Sequence, residues 1–383
     1  MSRPKYVTKI DQVTQLNEDE KKRIRKVTEE FAFRANDYYL SLIDWNDPKD
    51  PIRRLVVPVE AELEVWGELD ASREAEYTKV PGLEHKYNAT GLLLVNDVCG
   101  AYCRFCFRKR IFMVENDEVV KDVIAGLEYI RDHDEITNVL LTGGDPLVMS
   151  TGKLERIVSR LRDIDHVQII RIGTKLPAFN PYRIIDDPSL LEMIRKYSTT
   201  YKRMYFVVHF NHPRELTDVA VEGLALLRDA GAILVNQTPL IAGVIDDAFV
   251  LSELFNRLSY IGVPPYYVFQ CRPTLGNKTY SIPLERAYEI FEQGRMNSSG
   301  LARRARFVMS HATGKVEVVG LTGEHIHFKY LRAHYDEDNS RFLVFKRDPS
   351  AYWFDDYQEA VDANGVENPF LAARTELDSG DTP

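Results

Sequence analysis

Sulfur, excess basic charge and long apolar runs are what this chain of 383 residues lacks. With a formal charge of −9 it has no general basic surface for neutralising phosphates, so affinity for nucleic acid is not expected. No apolar run approaches the ~18 residues that would cross a membrane. The opening stretch Met1–Gln12 has no apolar core of the signal-peptide kind. Four cysteines are too few to staple so long a chain with disulfides, and with the missing leader they predict a reducing, cytoplasmic setting. No internal repeat or low-complexity segment is found, and most charges are spread as a solvated surface.

Scarcity makes clustering informative. Three of the four cysteines, Cys99, Cys103 and Cys106, fall within eight residues as C-x3-C-x2-C. Sulfur concentrated in this way predicts ligation of a soft metal rather than burial as small apolar side chains. Three thiolates can hold three irons of a 4Fe–4S cluster and leave the fourth without a protein ligand, whereas a structural cluster or zinc site is normally closed by a fourth. The open position points to chemistry. On spacing alone, a zinc knuckle closed from a distance is the competing reading.

The chain around this cluster changes rhythm twice. Residues 1–80 read as a charged helical extension, in which Asn17-Glu18-Asp19-Glu20 starts a helix and Ile24, Val27 and Phe31 recur near helical spacing. It reads as packing or assembly structure, without chemistry. Over residues 81–275, six β-rich runs alternate with stretches long enough for helices, such as those at 151–163 and 217–230. The runs lie at 92–95, 138–142, 167–172, 204–210, 233–237 and 266–271.

Polar residues gather where the runs end: Cys99, Gly143-Gly144-Asp145-Pro146, Arg171 and Lys175, His209 to His212, Asn236-Gln237, and Cys271-Arg272. A barrel brings these ends onto one rim, while an open sheet spreads them along an edge. No G-x-G-x-x-G fingerprint follows the first run. The expected fold class is α/β, a partial (β/α)6 TIM-like barrel. Residues 276–383 are expected to form an α+β region with strands near 306–310, 316–320 and 342–346, ending in a disordered acidic tail at Glu376–Asp381.

Several phrases stand in a recognisable order: His85-Lys86-Tyr87, Cys99 through Arg110, Thr142-Gly-Gly-Asp-Pro-Leu147, Arg171 through Thr174, His209 through Pro213, Asn236-Gln237, and Pro264 through Cys271. With them the chain resembles radical S-adenosylmethionine (SAM) enzymes, and more narrowly the lysine 2,3-aminomutase family. The resemblance covers about residues 80–272.

The resemblance implies that Cys99, Cys103 and Cys106 carry a 4Fe–4S cluster whose remaining iron is chelated by the amino and carboxylate groups of SAM. Reductive cleavage then gives a 5'-deoxyadenosyl radical that removes hydrogen from a small-molecule substrate. It also implies a low-potential electron donor such as flavodoxin or ferredoxin. Gly143 and Gly144 let the backbone approach the ligand, with Asp145 as acceptor for its ammonium and Pro146 in the same turn. Phe105 is read as packing on the adenine, and His209, Asn236 and Gln237 as lining the SAM pocket. His209 and His212 are not read as a metal pair, since H-x-x-H at a strand exit does not put both rings on one face. Arg108 corresponds to the residue that family enzymes use against the substrate carboxylate, a role that suits a guanidinium.

The resemblance breaks at a second cofactor. Family aminomutases hold the substrate amine on pyridoxal phosphate, through a lysine beyond strand six and an arginine just before strand one. Here the arginine's position is Thr90, and the expected lysine region, 296–304, contains no lysine, with Gly300 near its place. Lys278 and Lys315 read as surface lysines. Use of pyridoxal phosphate is therefore left open, leaning towards absence. At the substrate end, the aspartate that meets lysine's distal ammonium is replaced by Arg272, which attracts a carboxylate or phosphate instead. Cys271 reads as a buried strand residue.

The expectation is a radical SAM enzyme acting on a small anionic substrate. Its rivals are a pyridoxal-phosphate-dependent 2,3-aminomutase with a relocated lysine, and a non-catalytic iron–sulfur or zinc protein. Homo-oligomerisation stays open.

Overall fold

The computed structural model of the protein describes residues 4–113, 118–119 and 123–361. A ribbon of β1 (Tyr6–Val7) and β2 (Ala35–Asn36) brackets the first long helix, Glu18–Glu30. That helix starts where Asn17 and Glu20 cap each other. Asn17 Oδ1 accepts from the Glu20 amide at 2.9 Å, and the Glu20 carboxylate accepts from the Asn17 amide at 3.0 Å.

The remaining described strands join one thirteen-stranded sheet in strict chain order. β3 (Thr78–Val80), β4 (Leu83–Tyr87) and β5 (Thr90–Asn96) pair antiparallel. From β5 the sheet runs parallel through β6 (Asn138–Gly143), β7 (Ile169–Thr174), β8 (Arg203–Val208), β9 (Ile233–Pro239), β10 (Pro265–Phe269) and β11 (Arg306–His311). β12 (Gly314–Leu321), β13 (His325–Ala333), β14 (Phe342–Lys346) and β15 (Ala360–Val361) return to antiparallel pairing. Helices Ile124–Asp132, Thr151–Arg162, Pro188–Tyr197, Asp218–Asp229, Ala248–Tyr260 and Leu284–Met296 link successive parallel strands. This is the repeated βα unit of a partial TIM-like barrel. The six expected strands are present, and β11 adds a seventh.

Several crossover helices begin at residues built for that position. Thr217 accepts from the Ala220 amide, Asp247 from the Phe249 and Val250 amides, and Asp187 precedes Pro188 at the first helical position. Alternation then separates the two faces of each strand: Ile170 and Ile172 of β7 are fully buried, while Arg171 between them points to the opposite face.

The sheet curls until its flanks touch. Lys86 of β4 donates to the His311 carbonyl at 2.5 Å, Arg332 of β13 to Thr90 Oγ1 at 3.1 Å, and Tyr77 to the Ala312 carbonyl at 2.6 Å. β5 and β11 do not pair, so side chains bridge the barrel where no strand ladder closes it.

β13, unforeseen in the sequence, carries Ile326, Phe328 and Tyr330 in strict alternation with polar residues, which is the period of a half-buried strand. Residues 114–117 and 120–122, and the acidic tail at Glu376–Asp381, lie outside the described residues. Among the described residues no helix is long and apolar enough to cross a membrane.

Candidate active site

β5 delivers the chain into the cysteine loop, and β6 delivers Gly143-Gly144-Asp145-Pro146 against the start of that loop. The Gly144 amide donates to the Asn96 carbonyl at 2.5 Å and the Asp145 amide to the Val98 carbonyl at 2.9 Å. A Cβ on Gly144 would lie 2.6 Å from the backbone N and O of Val98, and Gly143 adopts φ +105°. Both glycines are thus required by the close approach of two chain segments.

Asp145 is turned inward. Its carboxylate accepts from Thr174 Oγ1 at 2.8 and 2.9 Å and from the amides of Leu147, Lys175 and Leu176 at 2.8–3.0 Å. Burial raises its pKa, against the pull of these donors. With both oxygens engaged, the carboxylate locks the exits of β6 and β7 together instead of standing free for an ammonium. Pro146 is buried beside it.

Cys99, Cys103 and Cys106 are unbonded thiols, each partly buried. Burial pushes Cys103 up to about 12, and burial, Asp145 and the other two sulfurs raise Cys99. Among the described residues no three His, Cys, Asp or Glu side chains gather as a site for a single metal ion. A 4Fe–4S cube makes a different demand, one thiolate for each separate iron, and a set of three soft sulfurs without a fourth ligand fits it.

The residues that fix the loop come from the N-terminal extension, to which the sequence reading gives no chemistry. Arg34 Nε donates to the Cys99 carbonyl at 2.8 Å, the Tyr102 amide to the Arg34 carbonyl at 2.9 Å, and Asn36 Nδ2 to the carbonyls of Gly100 and Phe179 at 3.4 and 2.9 Å. Arg104, inside the loop, forms a buried ion pair with Glu62 at 2.7 Å.

Further round the rim, Asn236 brackets Phe210, accepting from its amide at 2.8 Å and donating to its carbonyl at 3.2 Å. Gln237 Nε2 lies 2.8 Å from His209 Nε2. Burial and the neighbouring Lys175 push His209 down to about 3, so the ring is neutral and accepts from the amide. His212 accepts from the Arg214 amide through Nδ1 and pairs with no metal partner among the described residues. Phe105 packs against the core, and its carbonyl accepts from Asn277.

The two arginines singled out for substrate meet at Phe107, with the guanidinium of Arg108 5.0 Å and that of Arg272 4.2 Å from its ring centroid. Both are engaged by one segment of the extension. Glu74 holds Arg108 at 2.6–2.9 Å, and Ser72 Oγ accepts from Arg272, which also donates to the Ser310 carbonyl at 2.8 Å. The sequence points Arg108 at a substrate carboxylate; in the structure a carboxylate of the protein is already there.

The surface lysines of the sequence reading are placed differently. Lys278 lies over the rings of Tyr352 at 3.6 Å and Trp66 at 5.0 Å. Lys315, on β12, lies 4.1 Å from the centroid of Tyr267, and burial together with Arg171, Arg332, Arg272 and Lys86 pulls it down to about 7. Lys86 is likewise brought to about 7, by burial first and then by Arg272. Lys315 thus has four basic neighbours, Arg171, Arg332, Arg272 and Lys86, and among the described residues none of the five is ion-paired. Lys315 could have been found in the sequence from Gly314-Lys315 following the strand at 306–311, a glycine-lysine pair just beyond a strand exit.

Residues 93–251 match the family model of the radical SAM superfamily. The chain is 57% identical over 358 residues to a protein of Aquifex aeolicus (strain VF5) provisionally named L-lysine 2,3-aminomutase, covering 93% of this chain and 96% of that one. It is 38% identical over 302 residues to the L-lysine 2,3-aminomutase of Clostridium subterminale, covering 78% and 71% of the two chains. Against the glutamate 2,3-aminomutase of Clostridioides difficile (strain 630) it is 37% identical over 299 residues, covering 77% and 69%.

Proposed function

The chain belongs to the lysine 2,3-aminomutase family of radical SAM enzymes, and from that premise we propose that it moves an amino group between C2 and C3 of an amino acid with an anionic side chain, using Lys315 to hold pyridoxal phosphate. As a member it uses a 4Fe–4S cluster and SAM, which supply a carbon radical able to take hydrogen from the substrate. Cys99, Cys103 and Cys106 would hold three irons. SAM would lie against the strand exits carrying Phe105, Gly143, Gly144, Pro146, His209 and Gln237, where Asp145 and Asn236 act by shaping the loops.

The observation that carries the proposal is Lys315. A lysine that holds pyridoxal phosphate reacts as the free amine, and burial on β12 beside Arg332, its cross-strand partner, and Arg171 lowers its pKa to about 7, which makes that form accessible near neutral pH. The same cations suit a phosphate and carboxylates, so the residues present fit the group. When bound, pyridoxal phosphate supplies a conjugated ring over which an unpaired electron spreads while the nitrogen changes carbon. The protein's own residues orient the substrate. Arg272, with Phe107 beneath it, favours a side-chain carboxylate over lysine's ammonium. The reading also includes a cytoplasmic location, a donor of the flavodoxin or ferredoxin class, and functional parts at residues 1–80, 81–275 and 276–383, the last supplying Lys315 and Arg332.

Anaerobically reconstituted full-length protein, incubated with pyridoxal phosphate, reduced with borohydride and digested, should carry the label on Lys315 and lose it in Lys315→Ala. Label on another lysine, or none, would remove Lys315 from the mechanism. Deuterium should pass into 5'-deoxyadenosine from labelled glutamate or aspartate in preference to lysine; the reverse preference would make lysine the substrate.

A further inference from the structure

Arg108 is the residue expected to meet a substrate carboxylate, yet much of its fork is already engaged. Glu74 takes Nε–H and an N–H of Nη2 at 2.6–2.9 Å, and Thr142 Oγ1 accepts from Nη1 at 3.2 Å. A guanidinium carries five N–H groups, so among the described residues one on each terminal nitrogen is left for an incoming oxygen.

Glu84 stands beside Nη2. It comes from β4 and is buried, and its Oε1 lies 3.6 Å from that nitrogen, beyond hydrogen-bond reach. The same oxygen is out of solvent contact and has no hydrogen-bond partner. The charged groups around Glu84 are Glu74 and Asp70 of the extension and Arg108 and Arg110 of the cysteine loop, and Lys86, two residues on along β4, also feels its charge. Burial and Glu74 outweigh the two arginines and raise the Glu84 carboxyl to about 8, so at pH 7 it is mostly the neutral acid.

We propose that Glu84 is a substrate-binding residue, whose carboxylic acid O–H donates to the substrate carboxylate that Arg108 attracts. One oxygen of the substrate then meets the guanidinium and the other meets Glu84. The inference rests on the reading above that this pocket takes an amino acid, and it adds a neutral acid to a site otherwise read as a set of cations. An ionised Glu84 would repel a substrate carboxylate and compete with it for Nη2. As the acid it makes a short, charge-assisted O–H···O bond instead. Affinity for the substrate therefore depends on the proton at Glu84 and is lost as pH rises and that proton leaves.

Equilibrium dialysis of anaerobically reconstituted full-length protein against labelled L-glutamate, with L-lysine in parallel, tests this. Between about pH 7 and about pH 9, wild-type affinity should fall about tenfold further than that of Glu84→Gln, the fall expected when binding requires a proton on a group titrating at about 8. Lys315 and Lys86 lose charge over the same range in both proteins, so the comparison isolates Glu84. At neutral pH the amide of Glu84→Gln still donates and should bind within about threefold of the wild type, whereas Glu84→Leu should bind about tenfold more weakly. Equal falls in the wild type and Glu84→Gln would overturn the proposal, as would an unchanged neutral-pH affinity in Glu84→Leu. Should the variants fail to fold, infrared difference spectra of the wild type decide: adding glutamate should move the C=O stretch of a neutral carboxyl to lower frequency, and an unmoved band would overturn the assignment. If lysine but not glutamate binds with the Glu84-dependent fall, the assignment stands and the preference for an anionic side chain is lost. Glutamate binding without that fall would have the reverse meaning.

Discussion

Glu74 holds Arg108 through both carboxylate oxygens, and its Oε2 also pairs with Arg110 at 2.6 Å. The Arg108–Glu74 pair is buried. Removing one partner of such a pair leaves an uncompensated charge, so Glu74→Gln should lower stability by about 3–5 kcal/mol. A urea midpoint equal to that of the wild type would show that Arg108 finds another acceptor.

The pH dependence of stability has two limbs at this site. Burial alone would raise Glu74, but Arg108 and Arg110 outweigh it and bring the carboxyl to about 2, against an ordinary 4.5. The stability it contributes is complete above 4.5 and is lost as pH falls towards 2. Neighbouring Glu84 has the opposite sign: burial and Glu74 push it up to about 8, so its contribution is complete below 4.5 and is lost as pH rises through 8. Glu84→Gln should therefore flatten the alkaline side of a stability–pH curve and leave the acid side in place. An alkaline limb unchanged by the substitution would assign that loss to another group.

Gly144→Ala should disturb the cysteine loop without touching a cysteine. The added Cβ meets backbone atoms of Val98, which cannot rotate away as a side chain could. A cost of about 1–3 kcal/mol is expected, together with a lower yield of reconstituted cluster. Iron content and stability both equal to the wild type would mean that the two segments separate freely.

Cys103→Ala should abolish cluster absorbance and formation of 5'-deoxyadenosine from SAM in dithionite-reduced protein. Retention of either signal would contradict its assignment as a ligand.

Arg272→Asp exchanges a cation stacked on Phe107 for an anion. Affinity for an acidic amino acid should fall about tenfold or more, while cleavage of SAM without substrate continues. Unchanged affinity would leave Arg272 as a brace between Ser72 and the Ser310 carbonyl.

The candidate metal site stood out in the sequence because its signals are local. Three rare side chains lie within eight residues, and glycines mark a turn at the next strand exit. The inward direction of Asp145 was not readable, since its donors Thr174, Lys175 and Leu176 come from the following βα unit. The same holds for Glu74, which lies 34 residues before its arginine, in a segment with no periodicity of its own.

By itself, the sequence determined an open soft-metal site and the βα repeat, because both are written in short-range spacing: thiols a few residues apart, and apolar runs at strand and helix lengths; the radical chemistry was implied by the family resemblance of its ordered phrases. The tertiary structure decided what stands opposite the initiating loop. A lysine at position 315 is surface-like until the sheet curls and sets it against Arg171, Arg332 and the ring of Tyr267. Burial and repulsion then lower its pKa to about 7, and both forces depend on residues that meet only when the barrel's two flanks are brought together.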